Sequence, residues 1–275
     1  MKKATFAVGV FLCATSALAN SLPSFQGSDT LAGVMTDAII AAGMDKEIVY
    51  TGGGSGKGEA ALVNGEQGIA PMSREVKPEA AELARTRGVT LVPHVIALDG
   101  VGVFVNNTNT LNGLDLATLR DVFTCAITRW EQIPQSGKTG AIHAFRRNDV
   151  SGTTDTFKHL VGIKAFGACV VVMAETADIA EKTASDSDAM GYSGASAKRE
   201  KNRALALARE AGAPFVSLSV QTVRDFSYPL ARKLFVYEVS GARKASAVEQ
   251  KLLDSLLDRS FLDPIVQDHE FYTLD

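Results

Sequence analysis

Short apolar runs rich in β-branched residues alternate along this chain with stretches in which apolar residues recur every three or four positions. The first pattern predicts strands over Glu47–Tyr50, Val89–Val92, Val95–Asn106, Ala141–Phe145 and Leu234–Val239. The second predicts helices. Leu31, Val34, Met35, Ala38, Ile39 and Ala42 share one helical face directly after Gly27-Ser28-Asp29-Thr30, and similar spacing runs over Leu116–Phe123, Thr154–Val161 and Ala245–Leu257. Alternation of this kind defines an α/β protein. Lys198 to Arg209, where Ala204, Leu205 and Ala208 fall between charges, reads as a solvated helix or one that faces a membrane partner.

The N-terminus departs from this alternation. Lys2 and Lys3 precede an apolar stretch, Ala4–Leu18, that closes on Ala17-Leu18-Ala19. That is the pattern of a secretory leader over residues 1–19, shorter than the ~20 apolar residues of a spanning helix. Cys13 lies within the leader, and the bulky Val10-Phe11-Leu12 before it argues against a lipid anchor. Cleavage leaves Cys125 and Cys169, and an even pair in an oxidising compartment is expected to form one disulfide; two separately buried thiols are the alternative.

The roughly 250 remaining residues suffice for two domains. No internal repeat or long linker is visible, so two lobes must be joined by short crossings, expected around Val105-Asn106-Asn107 and Ser227-Tyr228-Pro229. Residues 20–105 and 229–275 then form lobe I and residues 106–228 lobe II. The formal charge of −3 falls to −5 when Lys2 and Lys3 leave with the leader. With no long basic run, nucleic acid is not an expected partner.

Four segments place glycine or small hydroxyl residues where a strand-like run gives way to a helical pattern: Gly27 to Leu31, Gly52 to Gly58, Pro71 to Arg74 and Ser151 to Thr154. Helix N-termini leave backbone N–H groups unpaired and carry about half a positive charge, and Ser or Thr adds an O–H donor. Each segment alone is equally an ordinary cap or turn. Arg147, four residues before Ser151, adds the formal charge that neutral donors lack and a fork that grips an oxyanion.

In their order and spacing these motifs resemble the periplasmic phosphate-binding proteins of bacterial ABC transporters, over nearly all of the mature sequence. The resemblance rests on Gly27-Ser28-Asp29-Thr30-Leu31, Gly54-Ser55-Gly56, Ile69-Ala70-Pro71-Met72-Ser73-Arg74 and Arg147 through Thr153. It extends through Ile96 to Val101, Leu119 to Phe123, Ile127 to Trp130, Met190-Gly191-Tyr192 and Tyr228 to Arg232. It implies an α/β, two-lobed type II periplasmic binding protein fold with a ligand cleft between the lobes. It also implies a monomer outside the cytoplasm that delivers inorganic phosphate to a membrane permease, without catalysis, cofactor or metal. Ligand contacts are implied for Thr30, Leu31 through its N–H, Ser55, Ser73, Arg147, Ser151, Gly152 and Thr153, with Asp149 orienting Arg147. Where some members carry an aspartate that accepts the proton of hydrogen phosphate, this chain has Ser73. Sulfate and arsenate therefore stay open as ligands, and Asp29 is a substitute acceptor or a helix cap.

Other chemistries fit less well. Ser55 stands between Gly53 and Lys57, so the serine-hydrolase elbow is incomplete, and His143 reads as a structural or surface histidine. Gly52 to Gly58 fails the phosphate-loop pattern at Thr51 and Gly58. His94, His143, His159 and His269 are scattered, and the two mature cysteines lack metal-ligand spacing. Trp130 and most Phe residues read as core.

Overall fold

The computed structural model describes residues 22–149 and 151–274. The expected leader and Cys13 lie outside them. Along the chain come β1 (Ser24–Gly27), α1 (Ala32–Ala41), β2 (Val49–Gly53), α2 (Ser55–Asn64), β3 (Ile69–Met72), α3 (Pro78–Thr86) and β4 (Val89–Gly100). Next are β5 (Gly102–Asn106), β6 (Gly113–Asp115), α4 (Leu116–Phe123), β7 (His143–Arg147), α5 (Gly152–Val161), β8 (Val171–Met173), α6 (Thr176–Ser185) and β9 (Ala189–Ser193). The chain ends with β10 (Asn202–Ala204), β11 (Ala206–Ala208), α7 (Val220–Arg224), β12 (Ala231–Gly241), α8 (Ala247–Leu257) and α9 (Arg259–Asp268).

Two large cores, and a smaller cluster that joins Leu62 and Val63 of α2 and Ala84 of α3 to Phe235 and Val239 of β12, organise these elements. In the first, Val34, Met35 and Ala38 of α1 pack with Leu252, Leu253 and Leu256 of α8 and Leu262 and Val266 of α9. That face of α1 is the one its apolar spacing predicts. Beside it lie the parallel pair β1 and β2 and the sheet β3-β12-β4, in which β12 is antiparallel to both neighbours. The strand predicted to break at Pro93 runs on through it, with Pro93 opposite Tyr237. β4 is an edge strand, where a missing N–H is tolerated.

The second core sits on the sheet β10-β5-β9-β7-β8. Val101, Val103 and Val105 point into it together with Leu119, Val122 and Phe123 of α4 and Phe157 and Val161 of α5. Trp130 is fully buried here as expected, and the rings of Phe157 and Tyr192 stack with centroids 3.8 Å apart. Asp115 caps α4 by accepting from the Thr118 N–H at 2.8 Å. Cys125, just after α4, is disulfide-bonded to Cys169.

The cores part earlier on β4 than the polar break at Asn106 suggests. Ile96 and Ala97 belong to the first core, whereas Val101, Val103 and Val105 belong to the second. On the return, Tyr228 and Leu230 still pack in the second core, and Leu234 opens the first. The two crossings run side by side, with Gly100 opposite Ala231 and Asp99 opposite Arg232. Asn106 ends β5 by pairing with Asn202 of β10, so its polarity marks a strand end within the second half.

Lys198 to Arg209 is the clearest departure, because it forms β10 and β11 instead of a helix. Leu205 and Leu207 are both fully buried, a period of two that the intervening alanines had hidden. β10 pairs antiparallel with β5, and β11 pairs parallel with β6.

Two measurements test this architecture. All five tyrosines are held above the ordinary phenol range, chiefly by burial, and Tyr50 is also pushed upward by the charge of Asp29. The stability they contribute is complete below the unfolded pKa of about 10 and is lost as pH rises beyond it. A tyrosinate absorbance titration should show no step near pH 10 before unfolding begins; a phenol ionising there in the folded protein would contradict the burial. Replacing both Cys125 and Cys169 by Ser should cost the second lobe about 2–4 kcal/mol, read from its denaturant midpoint.

Candidate functional site

The C-terminal ends of β1, β2 and β3 gather at one place. The Gly54 N–H donates to Gly27 O at 2.7 Å, and the Ser28 N–H donates to Pro71 O at 2.8 Å. Only glycine fits at 27, since a Cβ there would lie 2.3 Å from Pro71 O. This junction brings the loop bearing Thr30, the first residue of α2 (Ser55) and the residue after β3 (Ser73) together. From the second lobe, β7 ends on Arg147 and α5 begins at Gly152. Strand ends facing helix starts are where α/β folds bind ligands.

The sequence-predicted residues meet across the cleft. Thr30 Oγ1 lies 2.9 Å from Thr153 Oγ1. Ser55 Oγ accepts from the Ser73 N–H at 3.0 Å and lies 3.2 Å from Ser73 Oγ. Gly152 packs against this serine pair: a Cβ there would stand 2.3 Å from Ser55 Oγ and 2.5 Å from Ser73 Oγ. The N-termini of α2 and α5 therefore abut, and two positive helix ends face each other with serine hydroxyls between them.

Two predicted residues make local bonds. The Leu31 N–H donates to Ser28 O at 3.1 Å, closing a tight turn. Ser151 caps α5 and accepts from the Thr153 N–H at 3.2 Å.

Arg147 is fully buried, and its partners differ from the sequence expectation. Asp149 pairs with Arg146 at 2.9 Å, and its own carboxylate is largely exposed. Arg147 is oriented by Asp29 of the opposite lobe, Nη2 to Oδ2 at 2.9 Å, by Thr176 Oγ1 at 2.7 Å and by Ala174 O at 3.0 Å. The other Asp29 oxygen accepts from the Gly53 N–H at 2.7 Å. Asp29 thus acts neither as a helix cap nor as a free carboxylate; it ties the glycine turn to the buried guanidinium. A buried arginine needs such a counter-charge. The resemblance implied Asp149 for this role, whereas Asp29 is brought close only by the fold.

A second ion pair went unassigned in the sequence. Arg232 donates to Asp99 Oδ2 through Nε at 2.9 Å and Nη2 at 2.5 Å, both side chains being almost fully buried. Its Nη1 reaches Thr153 Oγ1 at 3.1 Å. Asp99 Oδ1 accepts from the Ala195 N–H at 3.1 Å. The available signal was Asp99 itself, a lone carboxylate inside the apolar run Val95 to Val105. A further pair spans the cleft beside the site: Arg74 Nε donates to Asp155 at 2.7 Å, and Arg74 Nη1 donates to Glu59 at 2.6 Å.

Solved structures with this arrangement of lobes define the class. A phosphate ABC transporter substrate-binding protein from Clostridium perfringens with bound phosphate aligns with a TM-score of 0.79 at 23% identity, covering 93% of this chain and 100% of its own. An ABC-type phosphate transport receptor from Vibrio cholerae gives 0.74 at 19% identity, covering 91% and 99%. The fold is therefore that of the two-lobed type II periplasmic binding proteins. A family model described as PBP superfamily domain matches residues 18–257. The chain belongs to that superfamily. Among curated relatives, the phosphate-binding protein PstS of Pseudomonas aeruginosa is 27% identical over 93% of this chain and 88% of its own length. Protein SphX of Synechococcus elongatus is 31% identical over 71% of this chain and 60% of its own.

Gly152→Ala tests the closed contact. The methyl group should hold the lobes apart and raise the radius of gyration in small-angle scattering, with secondary structure unchanged by circular dichroism. An unchanged radius would mean that the serines can yield to it.

Proposed function

We propose that this protein captures inorganic phosphate between its lobes, outside the cytoplasm, and delivers it as a monomer to the permease of an ABC transporter. The observation that carries the reading is the meeting of two helix N-termini at Ser55, Ser73 and Gly152, beside a fully buried arginine. Such a place favours a compact anion, because unpaired N–H groups, hydroxyls and a guanidinium all donate. The names of the relatives and structural neighbours support the same ligand.

In this reading the bonds now made across the cleft are exchanged for bonds to the ligand. Thr30, Ser55 and Ser73 approach the anion from one side, and Arg147, Gly152 and Thr153 approach it from the other. Closure is favoured because only the closed pair surrounds the anion. Asp29, already on Arg147, supplies the charged acceptor that Ser73 lacks and favours an oxyanion that carries a proton; sulfate at neutral pH carries none. His143, weighed as a hydrolytic base, has a carboxylate partner in Asp186 at 2.7 Å, but no hydrogen bond joins it to a serine nucleophile among the described residues.

Calorimetry on phosphate-stripped protein, with phosphate, sulfate and arsenate as titrants, tests the proposal. Phosphate should bind one-to-one without turnover in a parallel phosphatase and esterase assay. Arg147→Ala should weaken it about 100-fold, whereas Ser55→Ala costs about tenfold or less. Wild-type phosphate affinity in Arg147→Ala, or turnover, would overturn the assignment.

A further inference from the structure

A cavity of about 710 Å³ opens beside these residues, between the Arg74–Pro78 turn, the outer side of α5 and the start of β12. This is the size of pocket that holds an organic ligand, far larger than one phosphate ion needs. Much of its lining is apolar, from Val76, Pro78, Leu160, Phe226 and Phe235. Phe226 is 39% exposed and is held at a φ of 56°, a left-handed conformation that is costly for a bulky residue.

Charge is distributed unevenly on these walls. Lys158 of α5 and Lys233 of β12 both line the cavity and form no salt bridge among the described residues; Lys158 Nζ lies 5.8 Å from the centroid of the Phe166 ring. The Asp155 carboxylate is already held by Arg74 at 2.7 Å and Lys77 at 3.4 Å, which leaves the exposed Glu75 as the other acid of the lining. Two solvated lysines alone would define nothing. Arg74 is the second observation: it is only 9% exposed, it lines the cavity, and its Nη2 has no hydrogen-bond partner among the described residues. A buried guanidinium nitrogen without an acceptor is an unfavourable arrangement that an incoming oxygen would relieve. Arg232 forms the wall shared with the first site, through its bond to Thr153.

We propose that this cavity is a second ligand site, for an organic phosphate monoester with an apolar body. Arg74 Nη2, Lys158 and Lys233 take the phosphoryl oxygens, and the body lies against Leu160, Phe226 and Phe235. The combination is specific in kind: ammonium groups with no carboxylate partner select an anion, and apolar walls select one that carries a hydrocarbon or aryl group. An inorganic ion would leave those walls unused.

The site is separate from the Arg147 site, so the test is run with that site filled. Phenyl phosphate is titrated by calorimetry into protein saturated with inorganic phosphate, with benzyl alcohol as the uncharged comparison. A one-to-one isotherm is expected for phenyl phosphate alone. Lys158→Ala/Lys233→Ala should weaken it at least about tenfold while leaving the binding of inorganic phosphate unchanged. Phe226→Gly, which also relieves the backbone, should weaken it several-fold. Repeating the titration on Arg147→Ala protein without inorganic phosphate separates this proposal from the function proposed above, since the isotherm should persist. No isotherm in the phosphate-saturated protein, one unaltered by the double lysine variant, or one lost in Arg147→Ala would overturn it.

Discussion

Arg232 and Asp99 face each other where the chain passes between its two cores, and the geometry of the cleft depends on that pair. Each side chain is almost fully buried, so each charge has given up most of its hydration. The loss is tolerable because Asp99 accepts two bonds from the guanidinium and one from the Ala195 N–H, while Arg232 keeps a nitrogen for Thr153. Asp99 and Arg232 also sit opposite each other in the β4–β12 ladder, so the pair is fixed to both crossing strands. One interaction therefore positions the crossing, the Ala195 turn of the second lobe and the first turn of α5.

From this fixed region the two lobes reach toward each other with bonds of a different kind. Thr30 to Thr153, Asp29 to Arg147 and Arg74 to Asp155 all join groups from opposite sides of the cleft. The bond between the two threonine hydroxyls contributes little net stability, whereas the carboxylates on the buried Arg147 and Arg74 are costly to remove unless another anion takes their place. Each lobe is thus held by its own apolar core, and the seam between them by polar bonds. Such a seam lets a ligand of modest size decide between open and closed, because its own bonds replace those the lobes make to each other.

The electrostatics of the seam explain why an anion suits it. α2 and α5 bring their N-termini together, an arrangement that is unfavourable without negative charge or polar groups between. Serine hydroxyls moderate it here, and the formal charges nearby are already paired, Arg147 with Asp29 and Arg232 with Asp99. What remains is a set of neutral donors with a positive background, which favours a small oxyanion over a neutral sugar or an amino acid. The adjoining cavity has another character, largely apolar with Lys158 and Lys233 in its lining, and so selects by a different rule.

By itself the sequence determined the α/β class, the helices with strong spacing and the short glycine and hydroxyl motifs, because those features are local. α4 falls on its predicted residues and α1 within one residue at each end, since each presents one apolar face that only a helix can bury together. Thr30, Ser55, Arg147, Gly152 and Thr153 were legible for a similar reason, a strand end followed by a helix start in nearby residues; Ser73 ends β3 without one, since α3 begins only at Pro78. Tertiary structure alone decided what these residues touch. Asp29 reaches Arg147 over 118 positions of sequence and Arg232 reaches Asp99 over 133, distances at which no local pattern reports a contact. The same holds for Lys198 to Arg209, where helical and strand periods compete in an alanine-rich stretch. The neighbouring strands β5 and β6 settle it, because a segment takes the conformation whose backbone bonds and buried side chains its surroundings complete.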